Sequence, residues 1–174
     1  MLKRVRDNKK GFTLIELLAV IVILGILMIV AIPMVSQYIR EARQNSFVAT
    51  AKAYITAARY GYLNEEYIEA KNTGGTCATL DSGAGQVVYI MFEDISVDKT
   101  GGKSSFGQDI DTANSYVKIV SEESGKYTYS VFMRDSGGNG IEETKEDELK
   151  RKDVKTNIQT TNSKVETGKV CKKS

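Results

Sequence analysis

Residues 9–35 read KKGFTLIELLAVIVILGILMIVAIPMV, and from Leu17 to Val35 nineteen residues pass without a charged or hydroxyl side chain. Wound as an α-helix at ~1.5 Å per residue, that run is about 28 Å long. This is close to the roughly 30 Å hydrocarbon core of a bilayer. A helix apolar on every side could hide inside a soluble protein only if a large core surrounded it. A chain of 174 residues is too short to supply one. Ahead of the run stands MLKRVRDNKK, with Lys3, Arg4, Arg6, Lys9 and Lys10 against Asp7 alone. By the positive-inside rule this holds the N-terminus in the cytoplasm and sends the remainder outward, as a single-pass membrane protein. A secretory signal peptide also begins with positive charge. Here the apolar run is longer than the usual signal core, no small-residue cleavage site closes it, and no cysteine follows to take a lipid.

Glu16 is the anomaly. A carboxylate costs about 2.5–3.5 kcal/mol at the bilayer centre on insertion scales and less near the interface. Near a helix N-terminus the macrodipole offsets part of that cost.

KKGFTLIELLAVIVILGILMIVAIP resembles the prepilin N-terminal motif shared by type IV pilins and by the pseudopilins of type II secretion and competence, over residues 9 to about 35. The resemblance implies that Gly11 ends a leader peptide of residues 1–11. Phe12 becomes the methylated N-terminal residue once a prepilin peptidase/methyltransferase has acted. Glu16 is the family's glutamate, implied to pair in a filament with the new amine of Phe12, within its own subunit or on a neighbour. Such pairing neutralises two charges otherwise stranded in an apolar core. Gly25 and Pro33 match a glycine and a proline common in the family. Pro33 removes the hydrogen bond to the carbonyl of Ile29 and is expected to kink the helix. The stretch between them is implied to unwind locally on entering the filament.

Charge elsewhere is strongly segregated beneath a formal net charge of +2. Residues 1–63 carry 9 basic and 3 acidic side chains, residues 64–149 carry 7 and 17, and residues 150–174 carry 8 and 2. A near-neutral total argues against a polycation built for nucleic acid, and no specific nucleic-acid site is evident. A solvated basic tail, or complementary contact between acidic and basic faces of adjacent subunits, is the simpler reading. Removing residues 1–11 leaves 19 basic and 21 acidic side chains, so the leader supplies orientation rather than charge for later partners.

Helical patterning continues from Ser36 to about Leu63. Ala42, Ala49, Ala53 and Ala57, widened by Ile39, Tyr54, Ile55 and Tyr60, predict the face that packs on a sheet. One helix of roughly 50 residues, about 75 Å long, is expected. Residues 64–86 read as a connecting loop. Strands are predicted at 87–92, 115–120 and 127–134, with Gly-rich turns at 100–107 and 135–140. A short helix is expected over Glu142–Lys152, and Lys118 and Lys126 are expected to guard sheet edges. The fold class is α+β: a long N-terminal helix, transmembrane over about 15–35, packed on a small antiparallel sheet of three or four strands, type IV pilin-like. The expected divisions are a leader (1–11), the long helix (12–63) and a globular domain with a C-terminal tail (64–174).

Cys77 and Cys171 are the only thiols. In an oxidising compartment an even pair points to a disulfide, and closing a loop of about 94 residues is worth somewhat under 4.7 kcal/mol in the chain-entropy model. Two unpaired thiols remain the alternative, since sequence does not fix their separation. TGGKSS at 100–105 resembles the end of a phosphate loop, but Val97 stands where the first glycine is required. DSGGNGIEETKE places Asp135, Asn139, Glu143 and Glu146 near calcium-loop spacing, yet Gly137 offers no third-place ligand. With no histidine in the chain, no His-based triad or zinc site is available, and no enzyme activity or cofactor is expected.

The resemblance therefore implies the precursor of a type IV pilus subunit, assembled through its N-terminal helix into an extracellular filament for adhesion, motility or biofilm. Its implied partners are membrane lipid before assembly, the peptidase, a pilus assembly platform protein and other pilin subunits. The alternative is a pseudopilin of a type II secretion or DNA-uptake machine. A solitary membrane-anchored binding domain would leave Glu16 and its motif unexplained.

Overall fold

A computed structural model of the chain describes residues 11–68, 87–95, 97, 102–159 and 169–172. Cys77 and most of the loop expected over 64–86 lie outside these residues. The chain divides into two units, Met1–Arg40 and Glu41–Ser174.

One α-helix, α1 (Leu14–Leu63), supplies the regular structure of the first unit and the spine of the second. Its residues from Leu14 to Arg40 are all exposed. In the second unit the buried positions are Phe47, Val48, Ala51, Tyr54, Ile55, Ala58 and Gly61, the i, i+4, i+7, i+8 spacing of a single helical face. This corrects the expected stripe. Tyr54 and Ile55 are on the buried face, but Ile39, Ala42, Ala49, Ala53 and Tyr60 are exposed and Ala57 is half-buried. Stabilisation scales with apolar area removed from water, so Phe47 and Ile55 orient the helix and the alanines, about half a turn away, follow.

Seven strands form one sheet in the order β1-β7-β2-β3-β4-β5-β6. They are β1 (Tyr67–Ile68), β2 (Val87–Met91), β3 (Tyr116–Ser121), β4 (Tyr127–Arg134), β5 (Gly140–Lys145), β6 (Val154–Lys155) and β7 (Lys169–Lys172). From β2 to β6 every pairing is antiparallel, whereas β7 runs parallel to β2 and antiparallel to β1. The sheet thus has more strands than expected. The segment expected as a helix over Glu142–Lys152 forms most of β5, a turn and a 3-10 turn at Arg151–Asp153. Pairing with β4 overrides the helix preference of its Glu and Lys residues. Nor do Lys118 and Lys126 guard an edge: Lys118 lies in β3, an interior strand, and Lys126 immediately precedes β4.

Alternation along the strands sorts two apolar clusters. Val88 and Ile90 of β2, Val117 and Ile119 of β3, Tyr129, Val131 and Met133 of β4, and Ile141 of β5 face the helix. Tyr54 stacks on Phe92 with ring centroids 3.7 Å apart. On the opposite face Tyr89, Met91, Tyr116 and Phe132 pack with Ile158.

Two glycines are demanded by close approach. A Cβ on Gly61 would stand 2.5 Å from Cε2 of the buried Tyr67 ring, and one on Gly140 would stand 2.5 Å from the carbonyl oxygen of Met133. Gly61→Ala is therefore expected to destabilise the domain by about 1–2 kcal/mol, since overpacking outweighs the roughly 1 kcal/mol helix preference for alanine. In a Tyr67→Leu background the same change should become neutral or stabilising, as denaturant midpoints will show.

Burial, aided by the nearby carboxylates of Glu66 and Asp94, pushes the Tyr67 phenol up to about 12 from its usual 10. A raised pKa contributes stability that is whole below pH 10 and is lost as pH climbs toward 12. Unfolding midpoints should fall across that window, and Tyr67→Phe should remove this part of the decline.

Candidate assembly site: the start of the N-terminal helix

Thr13 immediately precedes α1 and caps it. Its backbone N–H and its hydroxyl both donate to Glu16 Oε2 at 2.8 Å, while the Glu16 N–H donates to Thr13 Oγ1 at 3.3 Å. This is a reciprocal capping box: Thr at the cap and Glu three residues on satisfy donors that the first helical turn would leave unpaired. The sequence reading passed over Thr13, although T-x-x-E before an apolar run is the signal for it. Glu16 thus has a local structural partner in the single chain.

Around this cap the chain is bare. Phe12 is 93% exposed and Leu14 87%. A Cβ on Gly11 would meet nothing within 4 Å, nor would one on Gly25, so no contact within the subunit requires glycine at either place. The helix continues through Pro33. An apolar stretch long enough to cross a membrane lies within α1, and among the described residues none of it is buried.

The other candidates are placed separately. Asp135, fully buried, accepts hydrogen bonds from Ser104 Oγ at 2.7 Å and from the Asn139 N–H at 2.9 Å, with Asn139 Nδ2 3.1 Å and 3.2 Å from its two oxygens. Glu143 instead accepts from Tyr116 and Lys118, and Glu146 pairs with Arg59. The Glu143 contact holds the Lys118 ammonium above its usual pKa. Asp135 and Asn139 are brought together, therefore, but Glu143 and Glu146 are engaged elsewhere. Among the described residues no group of three or more carboxylates or thiols is arranged to hold a metal. Cys171 lies in β7 opposite Ile68; its candidate partner Cys77 is outside the described residues.

The sequence profile of the prokaryotic N-terminal methylation motif matches residues 6–32. The chain is 34% identical over 103 residues to the type IV major pilin protein PilE of Neisseria gonorrhoeae, covering 59% of this chain and 62% of that one. It is 38% identical over 80 residues to a fimbrial protein of Neisseria meningitidis serogroup B, covering 46% and 47%. A fimbrial protein of Pseudomonas aeruginosa is 36% identical over 109 residues, 56% of this chain and 71% of the relative. No solved structure matches. The chain thus spans less than two thirds of the length of the two neisserial relatives. The chain belongs to the type IV pilin family, with the motif and apolar helix of a membrane-anchored pilin.

Thr13→Ala should weaken the cap by about 0.5–2 kcal/mol. In bilayer nanodiscs, amide exchange over residues 14–17 should then accelerate severalfold while exchange in the sheet is unchanged; unaltered exchange in the first turn would contradict the capping role.

Proposed function

We propose that this chain is the structural subunit of a type IV pilus, made as a prepilin with its N-terminus in the cytoplasm. It is cleaved after Gly11, methylated at the Phe12 amine and assembled through α1 into an extracellular filament serving adhesion, motility or biofilm. The observation that carries this reading is the capped apolar helix: a stretch that no described residue of its own subunit covers, carrying a single acid in its first turn. In this reading residues 1–11 are the leader, residues 12–63 the assembly helix and residues 64–174 the outward domain.

The chemistry follows from the cap. Cleavage converts the Phe12 amide into an amine one residue before the N–H that Glu16 already accepts. A carboxylate that caps its own helix is therefore poised beside the new positive charge, on its own subunit or on a neighbour. Pairing there removes two net charges from apolar surroundings, where leaving either alone would be costly. Lys9 and Lys10 hold the scissile bond at the cytoplasmic interface, and bare Gly11 gives the peptidase an unobstructed approach. Gly25 and Pro33 mark the stretch where the helix loosens on packing among other copies. Cys77 and Cys171, once exported, would staple the tail to the loop after α1. The pilin and fimbrial names of the relatives favour a pilus over a pseudopilin of a secretion or DNA-uptake machine.

Expression with and without a prepilin peptidase, followed by N-terminal determination and shearing of the cell surface, tests the reading. The expected result is a methylated Phe12 terminus and sheared fibres containing the chain. Cleavage at another bond would overturn the proposal, and correct cleavage without fibres would favour the pseudopilin assignment. Glu16→Val should insert and be cleaved but give at least tenfold fewer fibres; parental yield would exclude the charge pairing.

A further inference from the structure

Building on the filament reading, we propose that the globular unit docks end to end with a second copy of this chain, the acidic end of one subunit against the basic end of the next. Within this unit the helix from Glu41 to Leu63 spans about 33 Å at ~1.5 Å per residue, and the two ends carry opposite charge. Its last turn holds no basic residue, and exposed Glu65 and Glu66 follow at once. The macrodipole already places partial negative charge there. A lone subunit therefore carries these acids at the unfavourable end of its own helix.

The sheet adds to the same end. Tyr62 meets the Tyr127 ring edge-on at 5.6 Å, and Arg59 of α1 pairs with Glu146 beyond the end of β5. A hollow of about 390 Å³ around Arg59 brings Glu122, Lys126, Lys145 and Asp147 together. Among the described residues the exposed carboxylates at this end are Glu65, Glu66, Glu122, Glu123, Asp147 and Glu148, six against exposed Lys126 and Lys145 and against Lys172, which the β1–β7 register places opposite Tyr67.

At the other end Arg151 pairs with Glu41, Ser105 Oγ donates to the Arg43 carbonyl at 2.7 Å, and Phe106 packs on Phe47 with centroids 5.7 Å apart. These contacts gather the exposed Arg43, Lys103, Lys150 and Lys152. Against them, among the described residues, stand exposed Asp109 and half-buried Asp153, whose carboxylate accepts the Lys150 N–H at 2.7 Å and keeps its charge.

Each end carries an excess of one sign, which disfavours a two-fold dimer through that end. Opposite ends attract, and a heterologous contact of that kind repeats as an open array. Any one exposed ion pair contributes little. Several acting together, over distances that salt screens within about 10 Å at 0.1 M, set which end of a subunit meets which.

The test uses the full chain with its peptidase and two sets of reversals. One is Glu122→Lys, Glu123→Lys and Asp147→Lys; the other is Lys103→Glu, Lys150→Glu and Lys152→Glu. Each set alone should lower fibre yield at least fivefold, with cleavage after Gly11 and the unfolding midpoint held near parental values. The two sets combined should restore yield to within twofold of the parent, a rescue that misfolding does not produce. Parental yield from either single set, or a combined variant no better than the poorer single set, would overturn the docking while leaving the filament reading intact. Absence of fibres from the unaltered chain would instead remove the filament reading, and the docking with it. Loss of yield in the acidic set alone, unrescued by the second, would mean that another cationic partner occupies that end.

Discussion

An apolar helix surface that no described residue of its own subunit covers is the constraint on which the rest depends. The large side chains between Leu17 and Val35 are each about half exposed or more. At about 1.5–3 kcal/mol for each large apolar side chain, their exposure to water would exceed the whole stability of an ordinary domain. The surface must therefore lie in lipid or against other copies. Either surrounding demands that polar groups be satisfied from within, because neither supplies water. Helical hydrogen bonding satisfies the interior of the run. The Thr13–Glu16 cap satisfies its first turn, and does so with the one group that also carries a charge. Glu16 is thus a structural cap in the single chain and a charge partner in the proposed filament.

The second unit solves the ordinary problem of a small domain by laying one helical face on the sheet and then tying down the connections. Phe47, Tyr54 and Ile55 fill the space over β2, β3 and β4. The loop before β3 is held through Ser104 to the buried Asp135 at the end of β4, and through Ser105 to the helix backbone. A buried carboxylate without such donors would be expensive. With them it fastens the loop before β3 to the turn between β4 and β5. A β-bulge between Val131 and Met133 shifts the register of β5 against β4, and Gly140 sits where the two backbones come too close for a side chain.

What could be read in advance followed the strength of periodic signals. YTYSVFMR alternates apolar and polar residues from Tyr127 to Val131 before an apolar Phe132–Met133 and lies in β4 over the predicted span, and the apolar run required a helix whatever surrounded it. The buried face of α1 was misjudged because alanines recur regularly, whereas Phe47 and Ile55, fewer in number, cover more area. GIEETK reads as polar and helix-forming; only its pairing with β4 makes it a strand. Strands of two residues, such as β1 and β6, are too short to show any period. Thr13 was legible and overlooked, since the apolar run drew weight toward the cost of Glu16 and away from the hydroxyl three residues before it.

The apolar cluster on the far side of the sheet carries a further consequence. Tyr89, Met91, Tyr116 and Phe132 are buried together with Ile158, whose N–H donates to the Gly138 carbonyl at 3.0 Å. The domain is therefore built in three layers, with the segment after β6 as a strap across the outermost. A strap of this kind makes the segment around Ile158 part of the domain's outer surface. A chain break just after Lys155 would free Ile158 and leave Tyr89, Met91, Tyr116 and Phe132 without its cover, opening an aromatic patch on the face of the sheet turned away from the helix.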